Sequence, residues 1–150
     1  MRLVGSGRVG LDGIDVDVRP WHESRETSDI QDFDIGVMPL RDDPWSRGKC
    51  GFKLIEYMAC GLPAVASPVG VNRTIVIDGE NGFLCKTVDE WARRLRQLVN
   101  DPRLRQSMGE RGRRLACEQW SLQRWGPRLT ELLVETAAHE HSPETSVPAS

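Results

Sequence analysis

Residues 34–67 constrain the chain most, because they read as a strand, a helix and a second strand in close succession. Asp34 to Leu40 carries Ile35, Val37 and Leu40 and reads as a buried strand, stopped by Pro39 and a polar loop over 41–47. Lys53 to Cys60 reads as a helix, closed by Gly61 with Pro63 just beyond it. Ala64-Val65-Ala66-Ser67 is then a second short strand. Strands that alternate with helices point to an α/β fold with a parallel sheet.

The flanking segments agree. Arg2-Leu3-Val4-Gly5 reads as a short strand running into the Gly5-Ser6-Gly7 turn, and Ile14 to Val18 alternates apolar and acidic residues like a half-exposed strand. Arg25 to Phe33 carries a weaker helical pattern, and Gly82-Phe83-Leu84-Cys85 reads as the last strand. Thr87-Val88-Asp89-Glu90 forms a capping box, with Trp91, Leu95, Leu98 and Val99 on one stripe behind it. Asp101-Pro102 is a second helix start, continued by Leu104, Met108 and Leu115. Ser121 opens a third helix whose apolar side holds Leu122, Trp125, Leu129, Leu132 and Leu133. The chain is polar from His139 onward, so one domain is expected over 1–137 and a disordered tail over 138–150.

Composition excludes several classes. With 39% hydrophobic and 28% charged residues in 150, the chain has the make-up of a globular domain and enough length to bury a core. No apolar run approaches the roughly 18 residues of a spanning helix, and the start lacks the apolar core of a signal peptide. Cys50, Cys60, Cys85 and Cys117 form no C-x-x-C pair, which suits a reduced cytoplasmic protein better than a zinc site or a disulfide framework. Net charge is −4 over 1–85, +6 over 86–128 and −4 over 129–150. The basic block intersperses arginine with apolar residues at helical spacing, the pattern of a solvated helix face rather than a nucleic-acid site.

Chemistry concentrates in Gly48-Lys49-Cys50-Gly51-Phe52-Lys53-Leu54-Ile55-Glu56, which follows a strand and opens a helix. Glycines let a backbone approach a ligand closely, and the first N–H groups of a helix favour an anion. Lys49 and Lys53 add mobile positive charge, so a phosphate is the natural guest. Glu56, about one turn further in, suits sugar or ribose hydroxyls. In sheets of this type, ligands gather at the carboxyl ends of the strands. Each feature also has a plain structural reading: a tight loop for the glycines, solvated lysines, and a Glu56–Lys53 surface pair worth about 0.3–0.5 kcal/mol. Lys49 is not followed by serine or threonine, so this is not the phosphate loop of nucleotide hydrolases.

The run Phe33-Asp34-Ile35-Gly36-Val37-Met38-Pro39-Leu40, continued by Glu56-Tyr57-Met58-Ala59-Cys60-Gly61-Leu62-Pro63-Ala64-Val65-Ala66-Ser67, resembles the C-terminal domain of family 4 GT-B glycosyltransferases. Val69-Gly70, Asp78-Gly79, Asn81-Gly82-Phe83-Leu84 and Asp101-Pro102 with Met108-Gly109 follow in the same order, so the resemblance covers about 1–133. It implies the Rossmann-like C-terminal half of a GT-B fold. It also implies a retaining transfer from a nucleotide-diphospho-sugar without a metal or other cofactor, with the acceptor held on a separate domain. Glu56 corresponds to the glutamate that binds the ribose hydroxyls, and the N–H groups around Cys50, Gly51 and Phe52 to the loop touching sugar and diphosphate. The family's other glutamate, eight positions earlier, falls on Gly48, and Thr74 stands where many relatives carry a glutamate. The arginine and lysine that neutralise the diphosphate in the family have no counterpart here.

Leu3-Val4-Gly5 resembles the family's second strand of this domain, so the first strand and the acceptor domain are expected to be missing, as in a truncated product. Without the first strand, Leu3-Val4 and Ile35-Gly36-Val37 must pair directly or leave two open edges. The expected partner is a nucleotide sugar, with nucleic acid not expected. The expected role is the donor-binding part of a glycosyltransferase, inactive alone. The alternatives are a non-catalytic nucleotide-sugar-binding or protein-interaction remnant, and an epimerase of the same fold.

Overall fold

The computed structural model describes residues 1–7, 9–10 and 12–140, with side chains to residue 137. Among the described residues five strands and seven α-helices follow one another: β1 (Arg2–Val4), β2 (Asp17–Arg19), α1 (Glu26–Gln31), β3 (Gly36–Met38), α2 (Pro44–Arg47), α3 (Phe52–Ala59), β4 (Ala64–Ala66), α4 (Asn72–Ile75), β5 (Gly82–Leu84), α5 (Val88–Asn100), α6 (Pro102–Trp120) and α7 (Leu122–Glu140). Every strand pair is parallel, as expected of an α/β chain. The strands form two sheets, β1-β2 and β3-β4-β5, and β1 does not pair with β3. The alternative of two open edges is therefore the one observed.

The core is split by β4. Ala64 and Ala66 turn toward a cluster of Leu54, Met58, Ile75, Val76 and Ala116, whereas Val65 joins Phe83, Cys85, Leu98 and Met108 on the other face. Helices thus cover both faces, and burying each leucine or methionine contributes about 1.5–3 kcal/mol. Helices α3 and α6 cross closely because Gly109 has no side chain. A Cβ there would run into the Gly61 carbonyl that ends α3.

The caps follow the sequence. Thr87 and Glu90 close a reciprocal capping box on α5, and Asp101 Oδ1 accepts from the Leu104 N–H at 2.9 Å to start α6. Arg105 donates to the Leu98 and Val99 carbonyls at 2.7 and 3.0 Å, satisfying the end of α5.

Four expectations need correction. The second strand is Asp17–Arg19 rather than 14–18, because only these residues face the three that β1 offers. The polar loop 41–47 contains α2, started by Asp43 accepting from the Ser46 N–H at 2.7 Å with Pro44 in the first turn. Val99 is exposed, off the stripe that buries Leu98. Helix α7 continues to Glu140, so the expected tail from 138 starts as helix, while 141–150 lie outside the described residues. The apolar side of α7 is uncovered: Leu122, Trp125, Leu129, Leu132 and Leu133 are all exposed.

Candidate functional site

The carboxyl ends of β3 and β4 are tied together from below. The Leu40 N–H donates to Ser67 Oγ at 2.9 Å, and buried Asn72 Nδ2 donates to the Ser67 carbonyl at 3.0 Å. This fixes the end of β3, the end of β4 and the start of α4 as one platform, against which the start of α3 packs. Gly51 caps α3 in the left-handed region, φ 69° and ψ 15°. A Cβ there would lie 2.5 Å from Ile75 Cδ1 and 3.0 Å from Val71 Cγ1, so both backbone shape and space demand glycine.

The consequence is a row of free donors. The Gly51 carbonyl accepts from the Leu54 N–H at 2.9 Å, and the Lys49 N–H bonds the Ser46 carbonyl at 3.3 Å. Between them, the N–H groups of Cys50, Gly51, Phe52 and Lys53 have no acceptor among the described residues. The helix dipole reinforces their pull on an anion. Gly48, Lys49, Cys50 and Phe52 are all exposed around this mouth, and Lys49 has no carboxylate partner among the described residues.

Lys53 departs from expectation. Its ammonium donates to Glu26 Oε1 at 2.8 Å and lies 2.7 Å from Glu56 Oε2, so it is held rather than mobile. Burial alone would lower its pKa, but the Glu26 and Glu56 carboxylates beside it outweigh that and leave it above the ordinary lysine value. Glu26 is pulled below the usual carboxylate range by the hydrogen bond from Lys53 and then by that from Trp21 Nε1. Positive charge at the mouth therefore rests with Lys49, and Lys53 serves as a strut between α1 and α3.

Glu56 stands one turn behind the free donors with 16% of its side chain exposed. Its Oε2 is shielded from solvent and lies 2.7 Å from the Lys53 ammonium, an ion pair whose geometry makes no hydrogen bond. The part of the carboxylate that stays exposed has acceptor capacity for a hydroxyl donor brought in from outside. The Glu56–Lys53 pairing expected from their spacing is thus present.

Two features escaped sequence reasoning. Asn81 is a buried hub: its Nδ2 donates to the Ile75 carbonyl at 3.0 Å and its Oδ1 accepts from the Ile77 N–H at 2.8 Å, fixing the turn before β5. Glu26, twenty-seven residues before Lys53, carries no local signal of its role. A cavity of about 200 Å³ lined by Glu80, Asn81, Arg111, Arg114 and Glu118 lies toward the amino end of β5, away from the α3 mouth. Among the described residues no cluster of three or more His, Cys, Asp or Glu could hold a metal ion, and no helix is long and apolar enough to cross a membrane.

Comparison with known proteins gives a consistent result. The family model for glycosyl transferases group 1 matches residues 30–115. A putative glycosyltransferase, EpsD of Bacillus subtilis, is 43% identical over 68 residues, covering 44% of this chain and 18% of that protein. A GDP-mannose-dependent phosphatidylinositol monomannoside mannosyltransferase of Mycolicibacterium smegmatis is 36% identical over 108 residues, 67% of this chain and 27% of that one. Among solved structures, sucrose-phosphate synthase of Thermosynechococcus elongatus superposes with a TM-score of 0.72 at 23% identity, over 83% of this chain and 31% of its own. HepE of Anabaena in complex with UDP-glucose gives 0.65 at 20% identity, over 80% and 32%. At these identities the structural likeness speaks to the fold, that of the GT-B glycosyltransferases. The chain spans about a fifth to a quarter of the relatives it matches in sequence.

Proposed function

This chain belongs to the glycosyl transferases group 1 family, and from that premise we propose that it is the donor-binding portion of a retaining glycosyltransferase. The donor is a nucleotide-diphospho-sugar. The observation that carries the reading is the row of four free N–H groups at Cys50–Lys53, one helical turn ahead of the Glu56 carboxylate. The row binds the diphosphate, and the helix dipole and Lys49 stabilise the charge that grows on it as the glycosidic bond breaks. Glu56 accepts hydrogen bonds from the ribose hydroxyls and so sets the distance from nucleoside to diphosphate. No metal is needed, because the backbone donors supply the electrostatic role. HepE, a fold neighbour, is described in complex with UDP and with UDP-glucose, which supports this ligand class.

The acceptor is held by polypeptide outside these residues, so the chain alone transfers no sugar: a two-substrate reaction needs both partners in line. The four free cysteines support a cytoplasmic setting. One observation favours a second reading, nucleotide-sugar binding without transfer. Gly48, at the mouth beside the free donors, offers no side chain where the resemblance implies a carboxylate on the sugar.

Calorimetric titration of the chain with UDP, GDP, ADP and dTDP tests the proposal. Binding of at least one of them is expected, weakened in Glu56→Gln by the 1.5–3 kcal/mol of a charge-assisted hydrogen bond. Unchanged affinity in Glu56→Gln would remove Glu56 from the site. Transfer from a nucleotide sugar by the purified chain alone would contradict the proposed division of labour.

A further inference from the structure

Glu26 opens α1, and its Oε1 accepts from Trp21 Nε1 at 3.1 Å and from Lys53 Nζ at 2.8 Å. The same ammonium lies 2.7 Å from Glu56 Oε2. Trp21, Glu26, Lys53 and Glu56 thus form one polar chain that runs from the segment before α1 to the middle of α3. Its anchor is firm. Ile30 lies four residues after Glu26, so the two share a face of α1. Ile30 is buried in the cluster that holds Leu54 and Met58, which docks that face on α3.

A lysine and a glutamate three apart on one helix make a weak pair, and here their order is the poorer one. The helix dipole favours the acid on the amino side of the base, whereas Lys53 precedes Glu56. Glu26 alters this balance by fixing the ammonium from a second element. Charge alone gives no reason for an acid in that place. The Lys53 N–H is one of the four that face an incoming anion, and a carboxylate in contact with the Lys53 side chain repels a diphosphate. What Glu26 contributes is position.

We infer that Glu26 is a positioning residue, which acts through Lys53 to hold the Glu56 carboxylate toward the ribose hydroxyls of the donor. The inference rests on the nucleotide-diphosphate reading of the α3 mouth. The ammonium takes Oε2, the oxygen shielded from solvent, and the carboxylate keeps its other oxygen for the hydroxyls. Glu26 itself touches no part of the donor. A free glutamate side chain loses rotamers when it meets a ligand, and a strut that orders it beforehand removes this cost from binding.

The test is calorimetric titration of the full chain with UDP, GDP and ADP and with the dideoxy counterpart of each, which lacks both ribose hydroxyls. The ratio of the two affinities measures what the hydroxyls add. Base and diphosphate are common to both ligands, so a change of charge at the mouth cancels. The ratio is expected to be about tenfold or more in wild type and to collapse in Glu56→Gln. Glu26→Ala should lower it by about threefold to tenfold, and Lys53→Met, which cuts the same chain at its middle, by a similar factor. In Glu56→Gln, adding Glu26→Ala should change the ratio no further, because the two residues act as one unit. A wild-type ratio in Glu26→Ala, with the ratio collapsed in Glu56→Gln, would overturn the inference and leave the nucleotide reading standing. So would equal weakening of both ligands in Glu26→Ala, the mark of a residue that supports only the fold. No binding by wild type, or an unchanged ratio in Glu56→Gln, would remove the nucleotide reading and this inference with it.

Discussion

Lys53 Nζ lies 2.7 Å from Glu56 Oε2, one turn along the same helix, and the contact gives that oxygen a charge but no hydrogen bond. The lysine is meanwhile satisfied by Glu26 on α1. Its two roles therefore separate: it braces α1 against α3, and it sets a positive charge beside the Glu56 carboxylate behind the free N–H groups.

Stability should carry the signature of this strut. Glu26 titrates below its ordinary 4.5, so its contribution is present above that value and is lost as pH falls through its lowered native pKa. Lys53 titrates above its ordinary 10.5, so its share is present below that value and is lost as pH rises through its raised native pKa. Lys53→Met should lower the urea midpoint by the equivalent of up to about 1 kcal/mol at neutral pH, since the pair is partly exposed. The difference from wild type should shrink toward both ends of that window. A difference that stays constant from pH 3 to 7 would show that packing, not charge, is responsible.

Gly109 and Gly126 make a matched pair of opposite sign. Gly109→Ala sets a methyl against the Gly61 backbone carbonyl and should cost about 1–3 kcal/mol in urea unfolding. Gly126→Ala, in α7 with only Leu122 Cδ1 nearby at 4.0 Å, should be neutral or stabilising by about 0.4–1 kcal/mol. Equal effects at the two sites would contradict the close α3–α6 crossing.

The exposed side of α7 should govern association rather than folding. Leu129→Lys combined with Leu133→Lys changes two exposed side chains, so the urea midpoint should move little. Self-association measured by sedimentation should fall, because an uncovered apolar stripe is what drives it. A large loss of stability would show that α7 packs on the body of the molecule.

How much of this was legible in the sequence depended on range. The strand–helix–strand unit over 34–67, the Thr87–Glu90 capping box and the Asp101-Pro102 start are local codes, and each took the expected form. Asp43-Pro44 carries the same start signal as Asp101-Pro102, but α2 is four residues long and offers no periodicity to support it. Pairings between distant residues were out of reach. Nothing near Glu26 announces Lys53, and nothing near Asn81 announces that it fixes the Ile75–Ile77 turn. Lys53 was read as a mobile cation or as the partner of Glu56, three residues on; its second partner, Glu26, is a neighbour only in space. Glu56 could be named from its place behind a glycine loop, but its shielded oxygen is a tertiary property.

The central claim is that the start of α3 grips a nucleotide diphosphate, and backbone amide shifts measured during titration with UDP, GDP, ADP and dTDP test it most directly. The account predicts that one of these moves the amides of Cys50, Gly51, Phe52 and Lys53 first and furthest, with an affinity at least about tenfold weaker in Glu56→Gln. Shifts confined to the Arg111–Arg114 cavity, or no shift at Cys50–Lys53 with any of the four, would contradict it.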